Sequence, residues 1–129
     1  MLVLDTNVLV YATVEDSEHY SESLKLLNED DSVIPQIVVY EFLKVILELT
    51  RDPRFLYRKV VELAERSILC EPLNVVQLGV ELWVGDGAPA GELNDYIILA
   101  LAVYNNAELA TFDKKFRKVA EAHGVKVLP

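Results

Sequence analysis

The chain has 129 residues, about half of them hydrophobic and a quarter charged, which suits one soluble core and excludes a disordered chain or two ordinary domains. With one cysteine, Cys70, it has no intramolecular disulfide and no thiolate metal cluster, and no apolar run is long enough to cross a bilayer. Its net charge of −9 opposes binding to a phosphate backbone unless some of the acids are ligands for cations.

Leu2-Val3-Leu4 is a short apolar strand that stops at Asp5-Thr6-Asn7, and Val8 to Ala12 continues as a helix without turn residues. Ser17 is the expected N-cap of an amphipathic helix to about Asn28, with Tyr20, Leu24 and Leu27 at helical spacing. Asp30-Asp31-Ser32 reads as a turn, and Val33-Ile34 as a brief second strand ending at Pro35. A strongly apolar helix over 37–50 breaks at Asp52-Pro53, where proline suits the first turn of a helix running to about Ser67. A third strand falls within 68–73, followed by a helix capped by Asn74 and ended by Gly85-Asp86-Gly87-Ala88-Pro89. The remaining elements are a helix over 93–104, a strand over 108–112, a helix over 113–123 stopped by Gly124, and a final strand over 125–128.

Short apolar strands alternating with helices predict an α/β fold, with a parallel sheet of about four to five short strands covered on both faces. No repeat, low-complexity tract or linker interrupts it, so 1–129 is expected to be one domain. The N-terminus lacks the basic flank and long apolar run of a signal peptide, which makes the cytoplasm the expected compartment.

Asp5 and Asp113 each close a strand, and in a parallel sheet both fall on the carboxyl edge where ligands collect. Neighbouring carboxylates there repel unless a cation or a proton lies between them. Asp5, Asp95 and Asp113 also stand at expected helix starts, where aspartate caps free N–H groups, and one residue can serve both roles. Glu41, with Lys44 and Glu48 near the same stripe, reads by itself as part of a solvated helix face. His19 and His123 have no second His or Cys at ligand spacing and are expected at the surface; Asp86 and Glu92, flanking the loop before Asp95, are expected as solvated loop charges, the alternative being that they extend the acidic cleft.

Leu4-Asp5-Thr6-Asn7-Val8-Leu9, Tyr40-Glu41 in an apolar helix, Asn94-Asp95-Tyr96-Ile97-Ile98-Leu99-Ala100, and Thr111-Phe112-Asp113 followed by Phe116 together resemble the PIN-domain family, in its compact form found in VapBC toxin–antitoxin pairs. The resemblance implies a three-layer α/β/α fold and an endoribonuclease whose acids bind Mg2+ or Mn2+. It implies Asp5 and Asp95 as principal metal ligands and Asp113 and Glu41 as ligands directly or through water. Thr6, Asn7 and Thr111 match the polar positions that hold the carboxylates. It further implies an RNA substrate, a VapB-like antitoxin partner and a homodimer. An RNA-processing nuclease outside a toxin–antitoxin pair, or an inactive PIN-like scaffold, are the alternatives. Some family members carry another acid or amide after the last aspartate, where this chain has Lys114 and Lys115, so a second metal is not implied. A haloacid-dehalogenase phosphatase is disfavoured because Asn7 stands where its second aspartate belongs, and a receiver domain because Glu71-Pro72-Leu73-Asn74 offers no acceptor aspartate.

Overall fold

The computed structural model describes residues 1–129. In chain order it holds β1 (Leu2–Leu4), α1 (Thr6–Tyr11), α2 (Tyr20–Leu27), β2 (Ser32–Pro35), α3 (Gln36–Thr50), α4 (Pro53–Leu63), β3 (Ile68–Leu69), α5 (Leu73–Asp86), α6 (Leu93–Tyr104), β4 (Glu108–Ala110), α7 (Lys114–Ala122) and β5 (Val127–Leu128). A short 3-10 turn, Ala90–Glu92, leads into α6.

The five strands form one sheet in the order β3-β2-β1-β4-β5, and every pairing is parallel. Leu2, Val3 and Leu4 pair with Glu108, Leu109 and Ala110, so β1 and β4 end level with one another. Helices flank the sheet in a three-layer α/β/α arrangement. This is why its central strands are continuous apolar runs instead of alternating ones: Leu2, Val3, Leu4, Leu109 and Ala110 are all buried. The chain leaves β1 for β2 and β3 on one side and returns to β4 on the other. The direction of winding therefore reverses between β1 and β4, which opens a crevice at their carboxyl ends.

Helix α6 crosses the middle of the core, where Tyr96, Ile98, Leu99, Ala100, Leu101 and Ala102 are buried, and it packs against both β1 and α5. Fully burying a side chain the size of Ile98 or Leu99 contributes about 2 kcal/mol. Helix α1 packs on α2 and α3, and α3 on α4.

Several boundaries differ from those read in the sequence. Ser17 does not cap α2. Its Oγ instead accepts the His19 N–H at 3.1 Å, and the helix starts at Tyr20. Helix α4 stops at Leu63 and not near Ser67, because residues 64–67 turn back so that Ser67 can offer its carbonyl to Ile34 N–H at 2.9 Å. Asn74 lies inside α5, which starts after Pro72, and the helix continues through Gly85 to Asp86, with Gly87 at φ 62° making the left-handed exit. Proline at position 53 and the Asp52 cap behave as expected, since the Asp52 carboxylate accepts from Arg54 N–H and Phe55 N–H. At the start of α3 no residue of the helix provides a cap. Glu71, from the segment after β3, supplies it by accepting the Ile37 N–H at 2.9 Å.

The contact between α5 and α6 depends on Gly79. A Cβ there would stand 2.9 Å from Ile97 Cα and 3.0 Å from the Tyr96 carbonyl oxygen, both of them backbone atoms. Alanine in a helix interior is worth up to about 1 kcal/mol over glycine, while overpacking a core costs about 1–3 kcal/mol. We therefore expect Gly79→Ala to destabilise the protein by about 1 kcal/mol or more in urea unfolding. A more stable variant would show that the two helices separate freely.

Candidate metal centre

The crevice is built from polar side chains located just beyond the ends of β1 and β4. Asp5 is the N-cap of α1, with its Oδ1 accepting the Thr6 N–H at 2.7 Å. Its Oδ2 accepts the Thr111 hydroxyl at 2.7 Å and the Asn7 amide at 3.1 Å. Thr111 is fully buried, and its oxygen also accepts from Asn7 Nδ2 and from Asp113 N–H, each at 3.1 Å, so the hydroxyl uses its donor and both lone pairs. Asn7 Oδ1 in turn accepts the Phe112 N–H at 3.1 Å. The start of α1 and the segment after β4 are thereby tied into one network around a carboxylate that is only 6% exposed.

The other acids reach the crevice from different elements. Glu41, in the second turn of α3, accepts the Thr6 hydroxyl at 2.9 Å. That bond turns it into the crevice, away from the solvated face that its helix position suggests. Asp95 is the third residue of α6, half-buried, and comes after the 3-10 turn instead of capping the helix. Asp113 caps α7 through Oδ1, which accepts from Lys115 N–H and Phe116 N–H. Asp5, Glu41, Asp95 and Asp113 line a single open cleft of about 270 Å³ with Thr6, Asn7, Val10, Tyr11 and Val45.

Burial and like charge together raise two of these carboxyls. Burial is the main cause that lifts Asp5 to a pKa of about 6; the Thr111 and Thr6 hydrogen bonds work against it, and Glu41 and Asp113 add to it. Asp95 is pushed up to about 7, first by burial and then by the negative charges of Asp5, Glu41, Asp113 and Glu92. As the side chains stand, no three acids, histidines or cysteines converge closely enough to close a metal cage. The donor set nonetheless fits a divalent cation such as Mg2+ or Mn2+. It consists of hard carboxylate oxygens, two of them in groups whose ionised form is disfavoured, first by burial and further by neighbouring negative charge.

Three further features escaped the sequence reading, because each is a contact between distant elements. Glu92 is no free loop charge: it forms an ion pair with Lys115, and both line a side pocket of about 100 Å³ shared with Asp95 and Asp113. Asp86 stays out of the cleft and accepts the Tyr96 hydroxyl at 2.7 Å, with His123 Nε2 at 2.8 Å, contacts that hold its carboxyl below the usual range. His19 is no isolated surface residue either, since its ring stacks on Phe112 at a centroid distance of 4.4 Å.

A family model described as a PIN domain matches residues 2–122. No curated protein matches the chain in sequence. Among solved structures it is similar to VapBC2 from Rickettsia felis bound to a promoter DNA fragment, at 23% identity and a TM-score of 0.73 over 98% of this chain and 96% of that one. It is similar to a toxin–antitoxin complex from Klebsiella pneumoniae, at 21% identity and a TM-score of 0.70 over 91% and 90% of the two chains. VapC20 of Mycobacterium tuberculosis, described as a sarcin-ricin loop cleaving toxin, shares 14% identity with a TM-score of 0.77 over the whole of both chains.

Both raised acids give stability an inverse dependence on pH. The folded chain keeps protons that the unfolded chain, with carboxyls near 3.8, has already released. That contribution is complete below about 3.8 and is lost as pH rises through about 6 for Asp5 and about 7 for Asp95. In the presence of a chelator, Asp95→Asn is expected to melt a few degrees above the parent at about pH 8 and together with it near pH 4. A difference between the two proteins that is the same at both pH values would contradict this.

Proposed function

Because the chain belongs to the PIN domain family, we propose that it is a metal-dependent endoribonuclease that hydrolyses RNA phosphodiester bonds, and the toxin of a toxin–antitoxin pair. The observation that carries the reading is the convergence of Asp5, Glu41, Asp95 and Asp113, from four separate elements, on one cleft at the point where the sheet reverses its winding. Such a site needs a cation to accept a polyanion, and Mg2+ or Mn2+ suits its oxygen donors. When bound, the cation supplies Lewis-acid activation of water and neutralises charge at the phosphate.

The protein's part is placement. Asp5 and Asp95 would be the principal ligands. Asp113 and Glu41 would complete the set directly or through water. Thr111 and Asn7 fix the Asp5 rotamer, and Thr6 holds Glu41, so two carboxylates are oriented before any ligand arrives. This is the arrangement by which hydrogen-bonded neighbours keep a metal ligand in one geometry. No protein nucleophile is required, because water attacks the phosphorus and the cleaved chain leaves as an alcohol.

A VapB-like antitoxin is the partner this reading implies, and the similarity to toxin–antitoxin complexes supports it. Exposed apolar side chains along α3, α4 and α5, among them Leu49, Val61, Leu73 and Val84, suit burial against an antitoxin or against a second copy in a homodimer.

The decisive variant is Asp5→Asn, which keeps the size and capping ability of the side chain while removing a charged ligand. We expect the parent to cleave mixed RNA with Mg2+ or Mn2+ and to stop in EDTA, and Asp5→Asn to lose that cleavage with its circular dichroism unchanged. Cleavage by Asp5→Asn at the parental rate would refute the site. A parent that neither cleaves RNA nor binds metal would point to a scaffold.

A further inference from the structure

The cleft has two kinds of lining residue. Its lining combines the four carboxylates, Thr6 and Asn7 with Val10, Tyr11 and Val45. A cleft that met only a cation and a phosphate has no use for an aromatic ring. A nucleotide, with an anionic phosphate at one end and a flat apolar base at the other, presents both characters at the spacing of a single unit.

Tyr11 is held as a platform should be. It is the last residue of α1, four positions after Asn7 and hence on the same helix face. Its ring lies edge-on to Phe112 at 5.5 Å and tilted against His19 at 5.0 Å, while His19 and Phe112 stack on each other. Neither His19 nor Phe112 lines the cleft. They brace the one aromatic ring that does. Phe112 is itself fixed through its N–H to Asn7, the same side chain that hydrogen-bonds Asp5. The ring and the acids are thus positioned by one network. The aromatic contacts hold Tyr11 in a single pose, so little rotamer freedom remains to be lost when a flat ligand stacks on it.

We propose that Tyr11, braced by His19 and Phe112 and flanked by Val10 and Val45, forms a subsite that stacks one nucleobase next to the phosphodiester held at the carboxylates. This rests on the nuclease reading, and the experiment separates the two. The cut position in a short single-stranded RNA is mapped with the parent and Mn2+, and an abasic residue is then placed on each side of the cut in turn. At one of these positions the parent should lose between roughly fivefold and a hundredfold in kcat/KM. Tyr11→Phe, which keeps the ring, should keep the parent's sensitivity to base removal. Tyr11→Leu should lose a similar factor on intact RNA and nothing further on the abasic RNA. Equal sensitivity to base removal in the parent and in Tyr11→Leu overturns the proposal, as does a parent indifferent to base removal at both positions.

A second measurement needs no variant. With 2-aminopurine in place of the stacked base, mixing with excess parent should quench fluorescence before product forms, and unchanged emission overturns the subsite even if Tyr11→Leu fails to fold. A parent that does not cleave intact RNA removes the nuclease reading and the subsite together. Cleavage without coupling between Tyr11 and the base removes the subsite alone.

Discussion

The short hydrogen bond from the buried Thr111 hydroxyl to the Asp5 carboxylate joins the segments that emerge from the two central strands, and the organisation of the cleft depends on it. Asp5 lies just past β1 and Thr111 just past β4, strands that run side by side and stop level. Through the same hydroxyl Asp113 receives its backbone position, and through Asn7 so does Phe112. A charge this deeply buried is costly unless its lone pairs are occupied, and here Thr6, Asn7 and Thr111 occupy them. Even so, burial keeps the carboxyl well above its ordinary range. The site is electrostatically strained by construction, and a divalent cation would relieve that strain.

The acids also bear on the unfavourable net charge. Four of them face one cleft, where a cation would reverse the local sign, and a fifth, Glu92, is paired with Lys115 in the adjoining side pocket. Lys115 is the one basic residue lining either the main cleft or its side pocket. The protein itself thus offers little positive charge near the acids, and under the proposed nuclease reading phosphate recognition there would fall chiefly to a cation held by the acids.

Features encoded over a short stretch of chain were legible in the sequence, and those joining distant stretches were not. Leu2-Val3-Leu4 running into Asp5 is a local signal and placed the end of β1 correctly, whereas β4 stops at Ala110, two residues before the expected Phe112, so that Thr111 and Phe112 already belong to the segment leading to Asp113. The parallel α/β architecture emerged from the alternation of short apolar runs with helices. Glu41 and Asp95 were different: nothing in the spacing within α3 separates a cleft residue from a solvated one, Asp95 stood out only as a helix start, and it was resemblance to the family that marked both as site residues. The Glu71 cap on α3, the Glu92–Lys115 pair and the Tyr11–His19–Phe112 cluster were invisible, since each joins residues on elements that the chain brings together only in three dimensions. The end of α4 was misread for the same reason, as Ser67 leaves the helix to pair with Ile34.

If the carboxylates act together as one cation site, removing one of them must weaken the cation's hold on all the rest. Calorimetric titration of chelator-treated protein with Mn2+, comparing the parent with Asp95→Asn, reads this directly. We expect saturable binding by the parent that is much weaker in the variant, because a ligand is lost from a shared site. Absence of saturable binding by the parent, or equal affinity in the two proteins, would contradict a shared site.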